Sequence, residues 1–310
     1  MKRKENFISG SKGSHLHIIS WHPDSEPTAV VQILHGMAEF GERYEDFAKY
    51  LTKNGYAVYT HDHRKHGKSI NEDEIVGIFD KNDGWENVID DVQVVNDFIK
   101  VNEKNKNIII LGHSMGSIIC RRYIQVYGQN VVGAILSGTA PNQPFSCTVG
   151  KVIGSIVSKI NNKNSRSVFM DNLTVGAFNK PFKPERTSCD WLSTDKEQVD
   201  WYVADELCGL PYSAEFYVQF YKGILTCNKL SNIVKTPHFP ILFISGDQDP
   251  VGHMGKGVKK VYDIYASKGY KDNITMKLVS GARHEILNEI NKTEIYEYIL
   301  DWIRNNQKRD

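Results

Sequence analysis

Apolar residues recur along the chain in two rhythms. Short runs rich in β-branched residues fall at Ala29–Leu34, Ala57–Thr60, Ile108–Leu111, Val131–Leu136, Ile241–Ile244 and Ile274–Val279. Runs of this length and make-up read as strands buried on both faces. Between them, apolar positions return at helical spacing: Trp85, Val88, Ile89, Val92, Val95, Phe98 and Ile99 within Trp85–Val101, Ile118, Ile119 and Tyr123 after Ser114, and Ile295, Ile299 and Trp302 within Thr293–Ile303. Strands alternating with amphipathic helices predict an α/β fold whose mostly parallel central sheet is flanked by helices. Gly13–Ser20, where Leu16 and Ile18 alternate with His15 and His17, predicts an antiparallel edge strand.

The alternation fails between about Thr139 and Lys222, where polar and aromatic stretches replace strand signals, and resumes with HFPILFISG. This pattern predicts a helical unit, residues 139–222, inserted into a core made of residues 1–138 and 223–310. The insertion carries Phe145, Val149, Val152, Ile153, Ile156, Val157, Phe169, Phe178, Trp191, Leu192 and Trp201. That is more apolar surface than a short polar insertion needs. Most of it reads as packing, and the remainder as the lining of an apolar pocket.

Composition narrows the classes of partner. Of 310 residues, 40% are hydrophobic and 24% charged, as in ordinary globular chains. The formal charge is +1, so nothing favours a polyanion and no nucleic-acid partner is expected. The basic runs at Met1–Lys4 and Arg304–Arg309 read as solvated ends. MKRKENFISGSKGSH lacks the apolar core of an export signal, and no apolar run reaches the length of a spanning helix, so a cytoplasmic location is expected. Cys120, Cys147, Cys189, Cys208 and Cys227 are odd in number and show no C-x-x-C pairing, which reads as free thiols.

The chemistry is concentrated in NIIILGHSMGSIICRRYI, where an apolar strand runs through Gly112, His113, Ser114, Met115 and Gly116 directly into a helix. This is G-x-S-x-G in the strand-turn-helix setting that holds a nucleophilic serine on a sharp turn. The N–H of Met115, at the helix start, is placed to stabilise an oxyanion. A serine hydroxyl needs a base, and the base needs a carboxylate to hold its tautomer. Downstream histidines are His238, His253 and His284; His284 follows the last strand, whereas His238 precedes one and falls at the wrong sheet edge. Asp247 and Asp249 both follow the strand in FPILFISGDQDPV and both remain candidates for the acid. An early loop, His35–Gly36–Met37, supplies a second oxyanion donor through the Met37 N–H, with His35 read as a structural hydrogen-bonding residue.

At these residues the sequence resembles the monoacylglycerol lipase and lysophospholipase group of α/β-hydrolases, also called serine aminopeptidase-like. HGMAEFGERY is similar to that group's HG-x-x-E-H-x-x-RY element, DHRKHGKS to its D-x-R-G-H-G-x-S element, GHSMGS to its nucleophile elbow, and SGDQDPV with GARHE to its acid and base loops. The resemblance implies Ser114, Asp249 and His284 as a triad, with the Met37 and Met115 N–H groups as oxyanion hole. It also implies an insertion that acts as a cap over an acyl chain and touches a membrane surface transiently, and a lipid or ester substrate cleaved without cofactor or metal. Phe40 stands for the usual histidine and Lys65 for the usual glycine. Because the nucleophile and oxyanion loops fall in the core, shortening the insertion is expected to leave Ser114 reactive.

Rival readings are weaker. His61, His63 and His66 have the close spacing of zinc ligands, but Lys65 sits where a carboxylate is wanted. Gly67–Ser69 ends like a phosphate loop whose first glycine is replaced by Asp62. A non-catalytic binding module on the same fold is countered by the full set of nucleophile, base, acid and oxyanion loops. Within ester hydrolysis, a short-chain carboxylesterase and then a serine aminopeptidase stand behind the lipase reading. Acyl length, head group and oligomeric state depend on pocket volume and surface shape, which the residue pattern does not set.

Overall fold

The computed structural model describes residues 1–79, 83–162 and 165–307; Lys308 and Arg309 of the C-terminal basic run lie outside them. Eight strands form one sheet: β1 (Lys2–Ser9), β2 (His15–His22), β3 (Val30–Leu34), β4 (Ala57–His61), β5 (Ile108–His113), β6 (Gly133–Ser137), β7 (Ile241–Gly246) and β8 (Ile274–Val279). Their order is β1-β2-β4-β3-β5-β6-β7-β8. β1 and β2 pair antiparallel, as do β2 and β4, and every later neighbour is parallel.

Two expectations are corrected at the sheet's first edge. The segment around Gly13–Ser20 is not the edge, because β1 pairs outside it along its whole length. Lys2, Arg3 and Lys4 are exposed, as a solvated run should be, but they belong to a strand. β1 buries almost no side chain and is held by its backbone ladder, so it leaves no hydrophobic signal, and its charges discourage further pairing at the edge. Nor does the His15/His17 alternation mark exposure. His17 is buried, with its ring between Asp62 (3.0 Å) and Glu5 (2.9 Å).

Helices cover both faces. On one face pack α2 (Trp85–Asn102), α3 (Met115–Tyr127) and α9 (Lys256–Tyr265), with Val88, Val92, Val95, Ile118, Ile119, Val258 and Val261 against the sheet. On the other lie α1 (Glu45–Lys53) and α10 (Lys292–Asn306), through Phe47, Leu51, Ile295, Ile299 and Ile303. Between β6 and β7 the chain makes α4 (Pro144–Ile160), α5 (Val168–Thr174), α6 (Lys196–Ala204), α7 (Ala214–Cys227) and the short α8 (Leu230–Ile233). The expected boundary after residue 222 falls inside α7. That helix packs on α4 at one side, where a Cβ on Gly150 would lie 2.6 Å from the Tyr221 ring, and on Trp85 of α2 at the other. It belongs to the excursion and to the core at once.

Candidate active site

Ser114 sits between β5 and α3 with φ 52° and ψ −118°, a left-handed backbone that a non-glycine residue adopts only when its surroundings enforce it. Neighbouring chain does so. Ser114 N–H donates to the Ser137 carbonyl at 2.9 Å, and a Cβ on Gly116 would come within 2.1 Å of the Leu34 carbonyl oxygen. Only glycine lets the start of α3 press against the end of β3. From the same strand end, Gly36 approaches so closely that a Cβ there would lie 3.2 Å from the Ser114 Cβ. Met37 follows it, and Met115 is the first residue of α3, where N–H groups have no acceptor within the helix.

His284 and Ser114 line the same cavity of about 680 Å³, together with Gly36, Met37 and His113. The His284 Nδ1 lies 3.0 Å from Asp249 Oδ1, and both side chains are almost wholly buried. Burial alone would raise the Asp249 carboxyl; His284, the Ser245 hydroxyl and the Val251 N–H outweigh it and hold the group below its ordinary value. Burial would likewise lower His284, yet Asp249, with Glu285 and Glu39 farther off, pushes it above 6.5. Asp247 is engaged elsewhere, since its Oδ1 accepts the Gly281 N–H at 2.8 Å and ties the β7 turn to the β8 turn. Of the other histidines, His253 contacts Gln143 at the cavity wall, and His238 is exposed and stacks on Tyr270.

The remaining residues singled out in the sequence support this arrangement. His35 bridges two loops, accepting the His63 N–H at Nε2 (2.9 Å) while its Nδ1 lies 2.7 Å from the Gly36 carbonyl. His61 Nε2 and His63 Nδ1 are 3.2 Å apart, and His66 packs on Tyr212. Among the described residues no cluster of three metal-ligating side chains occurs. Asp62 accepts the N–H groups of Gly41 and Lys68, which makes the DHRKHGKS loop a brace for the loop that follows β3. Lys65 adopts φ 61°, the left-handed conformation the usual glycine supplies, and its ammonium pairs with Glu74. Phe40 packs with Leu192, Tyr202 and Cys208. The five cysteines are unpaired.

The sequence pattern of the Hydrolase_4 family, described as serine aminopeptidase S33, matches residues 25–291. The chain belongs to this family. Relatives within reach of sequence comparison include the monoacylglycerol lipase of Mycolicibacterium smegmatis, 25% identical over 307 residues and covering 97% of each chain. The monoglyceride lipase of Homo sapiens is 24% identical over 300 residues, covering 96% of this chain and 89% of that protein. A thermostable carboxyl esterase from Bacillus coagulans superposes with a TM-score of 0.90 at 25% identity, covering 99% of this chain and all of that one. The fold is the α/β-hydrolase fold, and in this S33 family member the strained serine follows β5 and the paired histidine follows β8.

Two features of this hydrolase escaped the sequence reading. Arg43 is buried between two carboxylates, reaching Glu39 at 2.6 Å and gripping Glu285 with both terminal nitrogens at 2.6 and 2.7 Å. Glu39 also accepts from the Gly36 N–H and the Tyr44 hydroxyl. One guanidinium thus fastens the Gly36–Glu39 loop to the residue after His284. Burial would raise Glu285, but Arg43 holds it down to about 2. The motifs contained all three residues, and only their unassigned charges signalled them.

The second feature bears on the expected independence of the insertion. The strip Asp190–Thr194 is stitched to the His284 loop: Glu285 N–H donates to the Leu192 carbonyl (2.7 Å), Ser193 hydroxyl to the Asn288 carbonyl (2.8 Å), and Thr194 N–H to Glu289 (3.0 Å). Arg283 donates to the carbonyls of Asp190 and Ser193. Removing this strip would free the loop that carries His284.

Proposed function

We propose that the protein hydrolyses carboxylic esters through an acyl-enzyme on Ser114, with long-chain monoacyl esters of the monoacylglycerol and lysophospholipid class as substrates. The observation that carries the reading is a strained serine at a helix N-terminus, sharing one largely apolar cavity with a histidine bound to a buried carboxylate. Ser114 Oγ attacks the carbonyl carbon while His284 takes its proton, and Asp249 holds the imidazole and steadies the imidazolium. The N–H groups of Met37 and Met115 receive the oxyanion. His284 then protonates the leaving alcohol, and water, activated by the same base, releases the acid.

Lipid substrates fit the walls. Phe145, Val149, Ile153, Leu173, Val175 and Phe178 line the cavity, whose volume of about 680 Å³ lies in the range of small-molecule sites. We read residues 139–222 as a cap that receives the acyl chain. One face of α4 presents Phe145, Val149, Val152, Ile156 and Ile160 to solvent, with Phe145 80% and Ile160 77% exposed, and α5 adds Val168, Phe169 and Leu173. The charged residues of α4 are Lys151 and Lys159. Such a face suits transient contact with a lipid surface, from which a chain enters the cavity. Among the described residues no helix is long and apolar enough to cross a membrane, and five free thiols suit a reducing cytoplasm.

The close superposition on a carboxyl esterase supports a second reading, a short-chain carboxylesterase. A panel of 4-nitrophenyl esters from acetate to palmitate, with monoacylglycerols, lysophosphatidylcholine and aminoacyl amides, separates the readings. Each buried methylene adds about 0.8 kcal/mol, so kcat/KM should climb with chain length and then fall once the cavity is full. A steady decline from acetate onward would leave the short-chain esterase, and preference for the amides would leave the aminopeptidase.

A further inference from the structure

Two rings lie against the His284 imidazole: His113, centroid to centroid 4.7 Å, and Trp191, at 5.1 Å and tilted by 36°. His113 comes from the nucleophile turn, but Trp191 comes from the excursion between β6 and β7. Trp191 is itself fixed from within that excursion: its backbone N–H donates to Asn179 Oδ1 at 3.0 Å, and its indole packs on Phe178 at 5.1 Å. Asn179, Phe178 and Trp191 all line the cavity. The backbone continues the grip, since the Trp191 carbonyl accepts the His284 N–H at 3.4 Å and the Leu192 carbonyl accepts that of Glu285.

We propose that Trp191 is a positioning residue for His284, through which the cavity-lining excursion sets the orientation of the base. The inference rests on the reading of His284 as base. Two physical effects follow from the contact. The indole face restricts the imidazole and the two carbonyls fix the backbone that carries it, so that the ring meets the Ser114 hydroxyl without a search. The same face supports positive charge on the ring as the imidazolium forms, since the 5.1 Å separation falls within the reach of a cation above an aromatic ring. A substrate chain that packs against Phe178 and Trp191 would tighten both effects, which links occupancy of the cavity to readiness of the base.

The test is the rate at which diisopropyl fluorophosphate modifies Ser114 in the full-length protein, because this small reagent needs the base but does not extend along the cavity. Trp191→Leu should slow modification by about tenfold or more, the scale of a lost orientation, and Trp191→Phe should restore most of it. Arg283→Gln removes the donor to the Asp190 and Ser193 carbonyls from a residue outside the cavity wall, and should slow modification in the same way. It decides the matter if Trp191→Leu does not fold, as judged by circular dichroism. Modification of folded Trp191→Leu and Arg283→Gln at the wild-type rate, with loss confined to long-chain kcat/KM, would make Trp191 a wall of the cavity only and overturn the proposal. Equal losses in Trp191→Leu and Trp191→Phe would overturn it too, since the aromatic face would then do nothing. A wild-type protein that takes up no label at Ser114 refutes the proposed function instead.

Discussion

The imidazoles near Ser114 fall into two sets that differ in what faces them. His35, His61, His63 and His66 are buried and face one another, backbone groups and aromatic rings. Burial pushes all four down, His61 and His66 to about 4, so they pack as neutral rings. His113 behaves the same way, driven to about 3 by burial and by His284 beside it. His284 is as deeply buried yet shifts the other way, because a carboxylate sits 3.0 Å from its Nδ1. Burial without a carboxylate partner leaves a neutral ring; His284 alone among these six has such a partner, which suits it to take a proton.

That difference is sharpest in rate. His284→Ala should lower kcat for 4-nitrophenyl butyrate by about 10^6, the scale on which removing a triad histidine acts. His63→Asn should act chiefly on stability, by about 1–3 kcal/mol for the hydrogen bonds it leaves unmade. Comparable rate losses in the two folded variants would erase the distinction. The carboxylates give the next contrast. Asp249→Asn should cost about 10^4 in kcat by spoiling the tautomer, whereas Asp247→Asn loses only an acceptor for the Gly281 N–H. A reversed ranking would make Asp247 the acid.

A smaller effect, on stability, is expected where charge is buried without serving as a base. Arg43→Met leaves Glu39 and Glu285 buried and unpaired, and urea denaturation should show a loss of about 3–5 kcal/mol. An unchanged midpoint would mean the triad of charges is solvated. Smallest is the pH effect. The base must be neutral to take a proton, and His284 is raised, so activity should disappear as pH falls through a value above 6.5. The other five rings are already neutral there and add no second limb. Asp249→Asn should move the remaining limb to lower pH; a limb that stays put would mean Asp249 does not set it.

Much of this was legible in the residue pattern. Strands β3 to β7 announced themselves as apolar runs because both faces of the sheet are covered there, β8 showed through Ile274, Met276 and Leu278 although Thr275 and Lys277 are exposed, and the turn at Ser114 was readable because its glycines answer to a local steric demand. β1 was not, since a strand buried on neither face has no apolar period. The candidates Ser114, His284 and the aspartates of the β7 turn were readable from their places after strands, but preferring Asp249 to Asp247 needed the contacts of that turn or a family resemblance. The Arg43–Glu285 pair spans 242 positions and the strip from Asp190 to Thr194 meets its partners about 95 positions later. Contacts of that range have no local periodicity, so nothing in the sequence tied the insertion to the base.

The central claim, that Ser114 is the nucleophile of an ester hydrolase, is tested most directly by mass spectrometry of the protein after treatment with diisopropyl fluorophosphate. One phosphoryl adduct per chain, carried by the peptide containing Ser114, and parallel loss of esterase activity are predicted. Full inactivation with the adduct on another residue, or undiminished hydrolysis by protein fully modified at Ser114, would contradict it.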